Sequence, residues 1–307
     1  YGISADLLPA VVDTFSVQGH LSADAAAELG LTAGTPISYR AGDQPNKAFS
    51  LNVLQPGEVA ATGGTSGVVY GINETNTPDP RSRVNSFVHV NSTPAQPRNG
   101  VLMCLNGTGI FNSWLRNIVG ELPYDQMNER AAQAPVGARG LLFLPFGNGV
   151  ERILENRPAA VELRGLNFNI HGQSHVLRAA QEGIVFALNY GMDIMRASGV
   201  RVRTVRAGHA NMFLSPVFRE AFANSGNVEL ELYNTDAAQG AARGAGVGAG
   251  VYAGPAEAFG GLKRMLTVEP TDGLREQYQA AYGRWQAALA HLIPHSTTLS
   301  HGRQRAF

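Results

Sequence analysis

The chain predicts an α/β protein, and three observations carry that expectation. Short apolar runs of buried-strand length, such as "GVLMCL", "GLLFLP" and "NVELELY", alternate with longer segments whose apolar residues return at helical spacing. Two runs rich in β-branched residues, "EVAAT" and "SGVVYG", flank a Gly-rich turn as hairpin strands do. Several helical segments also start and stop on recognisable cap residues. At 307 residues the chain can bury a large core, in one large or two smaller domains.

In order along the chain, "AGTPIS" reads as a short strand start after a Gly turn. Asp43 then follows Gly42 at a break before the mostly apolar "KAFSLNVL". An Asp there is either a turn residue or a functional carboxylate, because Asp is rarely buried unpaired. The hairpin comes next, followed by the two apolar runs. From Ser174, read as an N-cap, a long helix places Val176, Ala180, Ile184, Leu188 and Met195 on one face and closes at Gly199. Gly183 and Gly191 inside it each cost about 1 kcal/mol relative to Ala, so close packing against a neighbour is expected.

"TVRAGHAN" reads as a strand running into a loop. "SPVFREAFANSG" reads as a helix capped by Ser215, with Pro216 in its first turn and Gly226 after its end. "NVELELY" is a strand and "AAQGAARGAGVGAG" a small-residue helix able to approach a neighbour closely. In the last helix Leu274, Tyr278, Ala281, Trp285 and Leu289 form a stripe that should pack on the body. No internal repeat is visible.

Composition excludes several classes. Basic and acidic residues balance at 24 each with no dense basic run, so neither nucleic acid nor an anionic membrane has an electrostatic footprint. No apolar segment reaches spanning length, and a soluble protein is expected. The single cysteine, Cys104, reads as a buried thiol in a reducing compartment, which points to the cytoplasm. Acceptor patterns for glycosylation at Asn73, Asn91 and Asn106 are read as accidental. The chain opens at Tyr1 and not at Met, the expectation being that it starts inside a longer gene product or that a tag or further segment precedes it.

Two motifs are set aside. "GAGVGAG" has glycines at every second position and does not directly follow a strand, so it is read as a close-packed helix and not as a dinucleotide loop. His171 and His175 in "HGQSH" have a zinc-compatible spacing, but no acidic or thiol ligands accompany them, and no metal site is expected. The more informative element is "ATGGTSGVVYG". Gly63 and Gly64 are expected to take backbone conformations closed to other residues, so that successive N–H groups converge on an anion, with Thr65 and Ser66 adding hydroxyls. An ordinary Gly-rich turn is the alternative. The Asp-bearing break before it and a second small-residue loop, "RAGHANMF", favour phosphate binding.

Taken in order, "AGDQ", "GGTSGVV", "NGTGIFNSWL", "LLFLPFGNGVER", "RGLNF…HVLRAAQEG", "RAGHANMFLSP" and "GAARGAG" resemble the FGGY family of carbohydrate kinases, and within it the xylulokinases. The likeness runs from about residue 36 to about residue 253. It implies the actin-like, ribonuclease-H-like ATPase fold, a mixed sheet flanked by helices, with an incomplete N-terminal lobe. Residues 1–50 would be the end of the sugar-binding lobe and the crossover, 51–253 the nucleotide-binding lobe, and 254–307 a helical tail packing on the body.

The same resemblance implies roles. Asp43 would be the catalytic base and bind the sugar, with Gln44 as a further sugar contact. Gly64, Thr65 and Ser66 would hold the ATP phosphates. Gly208, Ala210 and Asn211 would lie near the adenine, and Gly109 and Asn112 would also line the nucleotide site. ATP with Mg²⁺ and a ketose, D-xylulose first among them, would be the small-molecule partners, and the absent N-terminal lobe would be needed for a complete site. The oligomeric state stays open, with a homodimer as one candidate. The chain departs from the family pattern at Arg40-Ala41-Gly42-Asp43, at Ala207-Gly208-His209-Ala210 and at Thr235-Asp236. His209 is expected against the base. A kinase for another sugar or polyol, and a nucleotide-binding sensor that has lost catalysis, remain as alternatives.

Overall fold

The computed structural model describes residues 2–292. The chain begins with a two-stranded pair, β1 (Gly19–His20) and β2 (Pro36–Ile37), which brackets α1 (Ala23–Leu29). Ser22 caps α1 by accepting from the Ala25 N–H, and Gly30 closes it in the left-handed region at φ 66°. Helix α2 (Asp43–Ser50) follows, with Gly42 as its N-cap. The break that carries Asp43 is therefore the first turn of a helix and not a loop.

A seven-stranded mixed sheet forms the body, in the order β13 (Arg264–Val268), β12 (Glu229–Tyr233), β11 (Thr204–Gly208), β3 (Glu58–Gly63), β4 (Gly67–Asn73), β6 (Asn99–Leu105) and β5 (Asn85–Val88). Its first four strands in sequence are β3 (Glu58–Gly63), β4 (Gly67–Asn73), β5 (Asn85–Val88) and β6 (Asn99–Leu105). Strands β3 and β4 form the expected hairpin, pairing from Val59↔Gly71 to Gly63↔Gly67. Because side chains alternate across a strand, the two faces bury different sets. Val59, Ala61, Val69, Val101 and Met103 face one core, whereas Ala60, Val68, Tyr70, Ile72 and Leu102 face the other, against Ala48 and Leu51 at α2.

Helices α3 (Gly109–Ile118) and α4 (Tyr124–Ala132) lead to β7 (Leu142–Pro145), the short strands β8 (Val150–Glu151) and β9 (Arg157–Pro158), and β10 (Val161–Arg164). The "GLLFLP" strand pairs with β10 outside the main sheet. Helix α5 (Gln173–Ala197) runs through the larger core. Its N-cap is Gly172 and not Ser174, which lies inside the helix. A Cβ on Gly183 would fall 2.5 Å from the Phe143 carbonyl oxygen, and one on Gly191 2.0 Å from Met103 Cε. The two helical glycines are there because β7 and β6 approach the helix backbone.

Strand β11 (Thr204–Gly208) pairs in parallel with both β3 and β12 (Glu229–Tyr233). Between β11 and β12, Ser215 caps α6 (Pro216–Gly226) as expected, but Gly226 is its last residue, and the left-handed stop is Asn227 at φ 49°. Helix α7 (Ala237–Gly248) takes in "GAGVGAG" as far as Gly248, with Ala249 as its C-cap. Cβ atoms on Gly240, Gly244 and Gly248 would meet Ser50, the Tyr39 ring and the Ser38 carbonyl at 2.6, 2.8 and 1.8 Å. Those glycines serve helix packing, as the spacing predicts.

The segment after residue 253 holds more than a helical tail. It contributes α8 (Pro255–Ala258) and β13 (Arg264–Val268), which joins the main sheet antiparallel to β12, before α9 (Asp272–Leu292). On α9, Tyr278 and Trp285 are fully buried, and Trp285 Nε1 donates to the Phe143 carbonyl at 2.9 Å. The predicted tail beyond residue 292 lies outside the described residues. Among the described residues no helix is long and apolar enough to cross a membrane.

Candidate functional site

The parallel strands β3 and β11 end on the same side of the sheet, and the chain leaves each through a small-residue turn. In open α/β sheets ligands sit beyond the carboxyl ends of the strands. A cavity of about 850 Å³ opens there. Gly64 and Thr65 line it from the hairpin, Gly109 and Asn112 from α3, and Asn211 from the turn after β11.

Backbone bonds hold these segments together. The Gly109 N–H donates to the Gly64 carbonyl at 3.0 Å, and the Ile110 N–H to the Thr65 carbonyl at 3.1 Å. The first N–H groups of α3, which lack partners within the helix, are thus satisfied by the hairpin tip. The turn before α3 is seated from below by Glu151, whose carboxylate accepts from the Asn106 N–H at 3.0 and 3.2 Å. Asn106 Nδ2 also donates to the Val150 carbonyl at 3.0 Å. A Cβ on Gly107 would lie 1.7 Å from the Pro145 carbonyl oxygen, so only glycine lets this turn approach β7.

Glu151 is wholly buried, and burial pushes its carboxyl up to about 7. Cys104 beside it is half-buried, contrary to the fully buried thiol expected from its apolar run, because β6 presents it to a partly open face. Burial and then the Glu151 charge push its thiol up.

The hairpin differs from expectation in one respect. Neither Gly63 nor Gly64 has positive φ. Gly63 is required by packing, since its Cβ would lie 3.0 Å from Met212, whereas a Cβ on Gly64 meets nothing nearer than 3.8 Å. The left-handed residue of the site is Asn211, at φ 52°, a conformation Asn tolerates better than most residues.

Not every predicted residue joins the cavity. Ser66 and Ala210 adjoin its lining residues in sequence without lining it, and neither Gly208 nor the exposed His209 is part of its wall. Asp43 and Gln44 stand apart on the first turn of α2. There Asp43 Oδ1 accepts from the Gln44 N–H at 2.8 Å and Oδ2 from Gln44 Nε2 at 3.1 Å. The opposite wall, from α4, went unrecognised: Asp125, Asn128 and Glu129 all line the cavity. Only a short amphipathic helix pattern marks them in the sequence.

His171 and His175 stack edge to face at 5.5 Å, and among the described residues no group of three or more His, Cys, Asp or Glu could hold a metal. A second cavity of about 430 Å³, at the amino ends of the same strands, is crossed by ion pairs of Arg206 with Glu58 at 3.2 Å and Glu231 at 3.1 Å.

A mixed sheet flanked by helices, with a glycine-built cavity at its carboxyl edge, is the actin-like ATPase fold found in sugar kinases. The sequence pattern of the FGGY family of carbohydrate kinases, C-terminal domain, matches residues 59–253, and the chain belongs to that family. It is 29% identical over 287 residues to the xylulose kinase of Escherichia coli K12, covering 91% of this chain and 56% of that one. It is 29% identical over 198 residues to a gluconokinase of Bacillus licheniformis, covering 61% of this chain and 37% of that one. The crystal structure of xylulose kinase from Rhodospirillum rubrum superposes with a TM-score of 0.82 at 26% identity, over 95% of this chain and 59% of that one. The chain spans about half the length of the curated relatives it matches.

Proposed function

We propose that this chain is the nucleotide-binding part of an ATP-dependent, cytoplasmic sugar kinase, and that D-xylulose is the sugar. The observation that carries the reading is the convergence of Gly64, Thr65, Gly109, Asn112 and Asn211, from three separate stretches of sequence, on one 850 Å³ cavity. That volume falls within the range of ordinary ligand sites. In this reading residues 1–50 close the sugar-binding lobe, 51–253 form the nucleotide lobe and 254–307 complete it.

Phosphoryl transfer asks the protein mainly for positioning and charge stabilisation. Backbone N–H groups and hydroxyls of the hairpin, Thr65 and Ser66 among them, would face the phosphate oxygens. Asp43, exposed and engaged among the described residues with Gln44 alone, would accept the proton of the attacking sugar hydroxyl. Gln44 would contact the sugar, and the turn of Gly208, Ala210 and Asn211 would flank the base. Mg²⁺ would arrive on the triphosphate and neutralise charge there.

Similarity to a gluconokinase favours a second reading, in which the acceptor is another sugar or sugar acid. Calorimetric titration of this chain with ATP, and a coupled assay with D-xylulose and D-gluconate on a preparation of the protein that phosphorylates a sugar, test both. ATP binding that is lost in Gly64→Val, with phosphorylation of xylulose in preference to gluconate, is expected. Binding insensitive to that substitution would remove the cavity from the reading, and preference for gluconate would replace the sugar.

A further inference from the structure

A chain of three side chains runs from the cap of α6 to the wall of the cavity. Ser215 Oγ accepts from the Phe218 N–H at 3.4 Å. A backbone N–H can only donate, so the hydroxyl keeps its own proton for another partner. That partner is Gln181 Oε1 at 2.6 Å, a separation typical of O–H···O. With its oxygen so occupied, Gln181 turns Nε2 to Asn128 Oδ1 at 2.9 Å, a separation typical of N–H···O. Ser215 and Gln181 are each 1% exposed, so water does not compete at the bond between them. The amide of Asn128 is thereby oriented: its oxygen is engaged, and its Nδ2 remains as a donor at the cavity, with no acceptor among the described residues.

Asp125 and Glu129 line the same wall, and as carboxylates they only accept. The wall therefore offers one donor between two acceptors, while the hairpin and the start of α3 offer small residues and backbone at the other lining segments. An aromatic base with a ring nitrogen acceptor beside an exocyclic amine matches that pattern, as adenine does. Guanine has that pairing only at N3 beside its 2-amino group, on the edge next to the ribose, and at N7 it would bring a carbonyl oxygen toward the carboxylates instead. Negative charge on this wall also directs the phosphates away from it, toward Gly64 and Thr65.

We propose that Asn128 is a specificity-determining residue that donates to the ring of an amino-substituted purine, and that Gln181 and Ser215 are the positioning residues that fix its polarity. The proposal deepens the nucleotide reading of the cavity and rests on it.

Displacement of a fluorescent ATP analogue from the 307-residue chain tests it, with ATP, GTP and inorganic tripolyphosphate as competitors. Asn128→Leu keeps the shape of the side chain and removes the donor. It is expected to weaken ATP about tenfold and to erase most of the preference for ATP over GTP. Tripolyphosphate, which has no base, should compete equally with both proteins. Gln181→Leu, which frees the Asn128 amide to flip, should reduce the same preference by a smaller factor. A merely structural role would weaken tripolyphosphate and ATP together. Should Asn128→Leu fail to fold, Asn128→Asp keeps an acceptor for Gln181 and replaces the donor with a charged acceptor. Tripolyphosphate then reads the effect of the added charge separately from the loss of discrimination between ATP and GTP. Unchanged discrimination between ATP and GTP in a folded variant overturns the assignment, and continued sensitivity of ATP to Gly64→Val would then leave the nucleotide site standing. If the analogue fails to bind the parent chain at millimolar concentration, the nucleotide reading falls and this proposal with it.

Discussion

Gly109 and Gly64 meet backbone to backbone across two elements: the N–H of one donates to the carbonyl of the other at 3.0 Å, and a Cβ at 109 would fall 2.4 Å from that oxygen. No other residue type fits the contact without parting the hairpin from α3. Gly109→Ala is therefore expected to cost about 1–3 kcal/mol, the usual range for overpacking. It should weaken ATP binding by more than that loss of stability explains. Paired thermal melts and ATP titrations check it; unchanged values in both would show that the clamp yields freely.

At Gly64 the situation is reversed. A Cβ there meets nothing nearer than the Ser66 carbonyl oxygen at 3.8 Å, and the residue lines the cavity. Gly64→Val should abolish much of the ATP affinity while leaving the melting temperature near that of the parent. Thr65→Val removes only a hydroxyl and should cost about 1–3 kcal/mol of binding at most. Calorimetry that finds the parent affinity in both variants would leave the hairpin a purely structural turn.

Asp43 bears on turnover and not on the nucleotide. In any preparation of this protein that phosphorylates a sugar, Asp43→Ala should lower kcat at least ~100-fold, the low end for losing a general base. The KM for ATP should change little, because Asp43 stands outside the cavity wall. Steady-state kinetics within a few-fold of the parent would remove it from the reaction. The 307-residue chain by itself is expected to bind ATP weakly and to show no turnover of xylulose, since the described residues leave Asp43 facing solvent with Gln44 as its only partner. Near-normal phosphorylation by this chain would contradict that.

Two buried groups pull stability in opposite directions with pH. Burial raises Glu151 from 4.5 to about 7, so the folded protein holds its proton more tightly than the unfolded chain does. That contribution is present below about pH 4.5 and is lost as pH rises to about 7. Burial lowers His89 from 6.5 to about 4, and this neutral ring bridges the Tyr70 hydroxyl and the Val53 carbonyl. Its contribution is present above about pH 6.5 and is lost as pH falls toward 4. Glu151→Gln leaves the His89 dependence unopposed. The variant should therefore lose stability more steeply than the parent on acidification through this window, by denaturant melts at several pH values. Parallel curves would show that Glu151 does not titrate there.

The sequence by itself determined the α/β class, the β3–β4 hairpin, the Ser215 cap, the packing stripe of α9 and the reading of "GAGVGAG" as a helix. Each rests on interactions between near neighbours, which local spacing records. Five residues that the fold gathers on one cavity were also named there, Gly64 and Thr65 from the Gly-rich turn itself, and Gly109, Asn112 and Asn211 only through the resemblance of the ordered motifs to a known family. Only the tertiary structure decided why the glycines are there. Gly63 yields to Met212, Gly109 to a carbonyl of the hairpin and Gly183 to a carbonyl of β7, and none of the three has a left-handed backbone. It alone turned Asp125, Asn128 and Glu129 of α4 toward the site and joined Asn128 to Ser215 through Gln181. The physical reason is distance along the chain: a cap or a stripe forms within a few residues, but a cavity wall is made by segments that approach only after the core between them has packed.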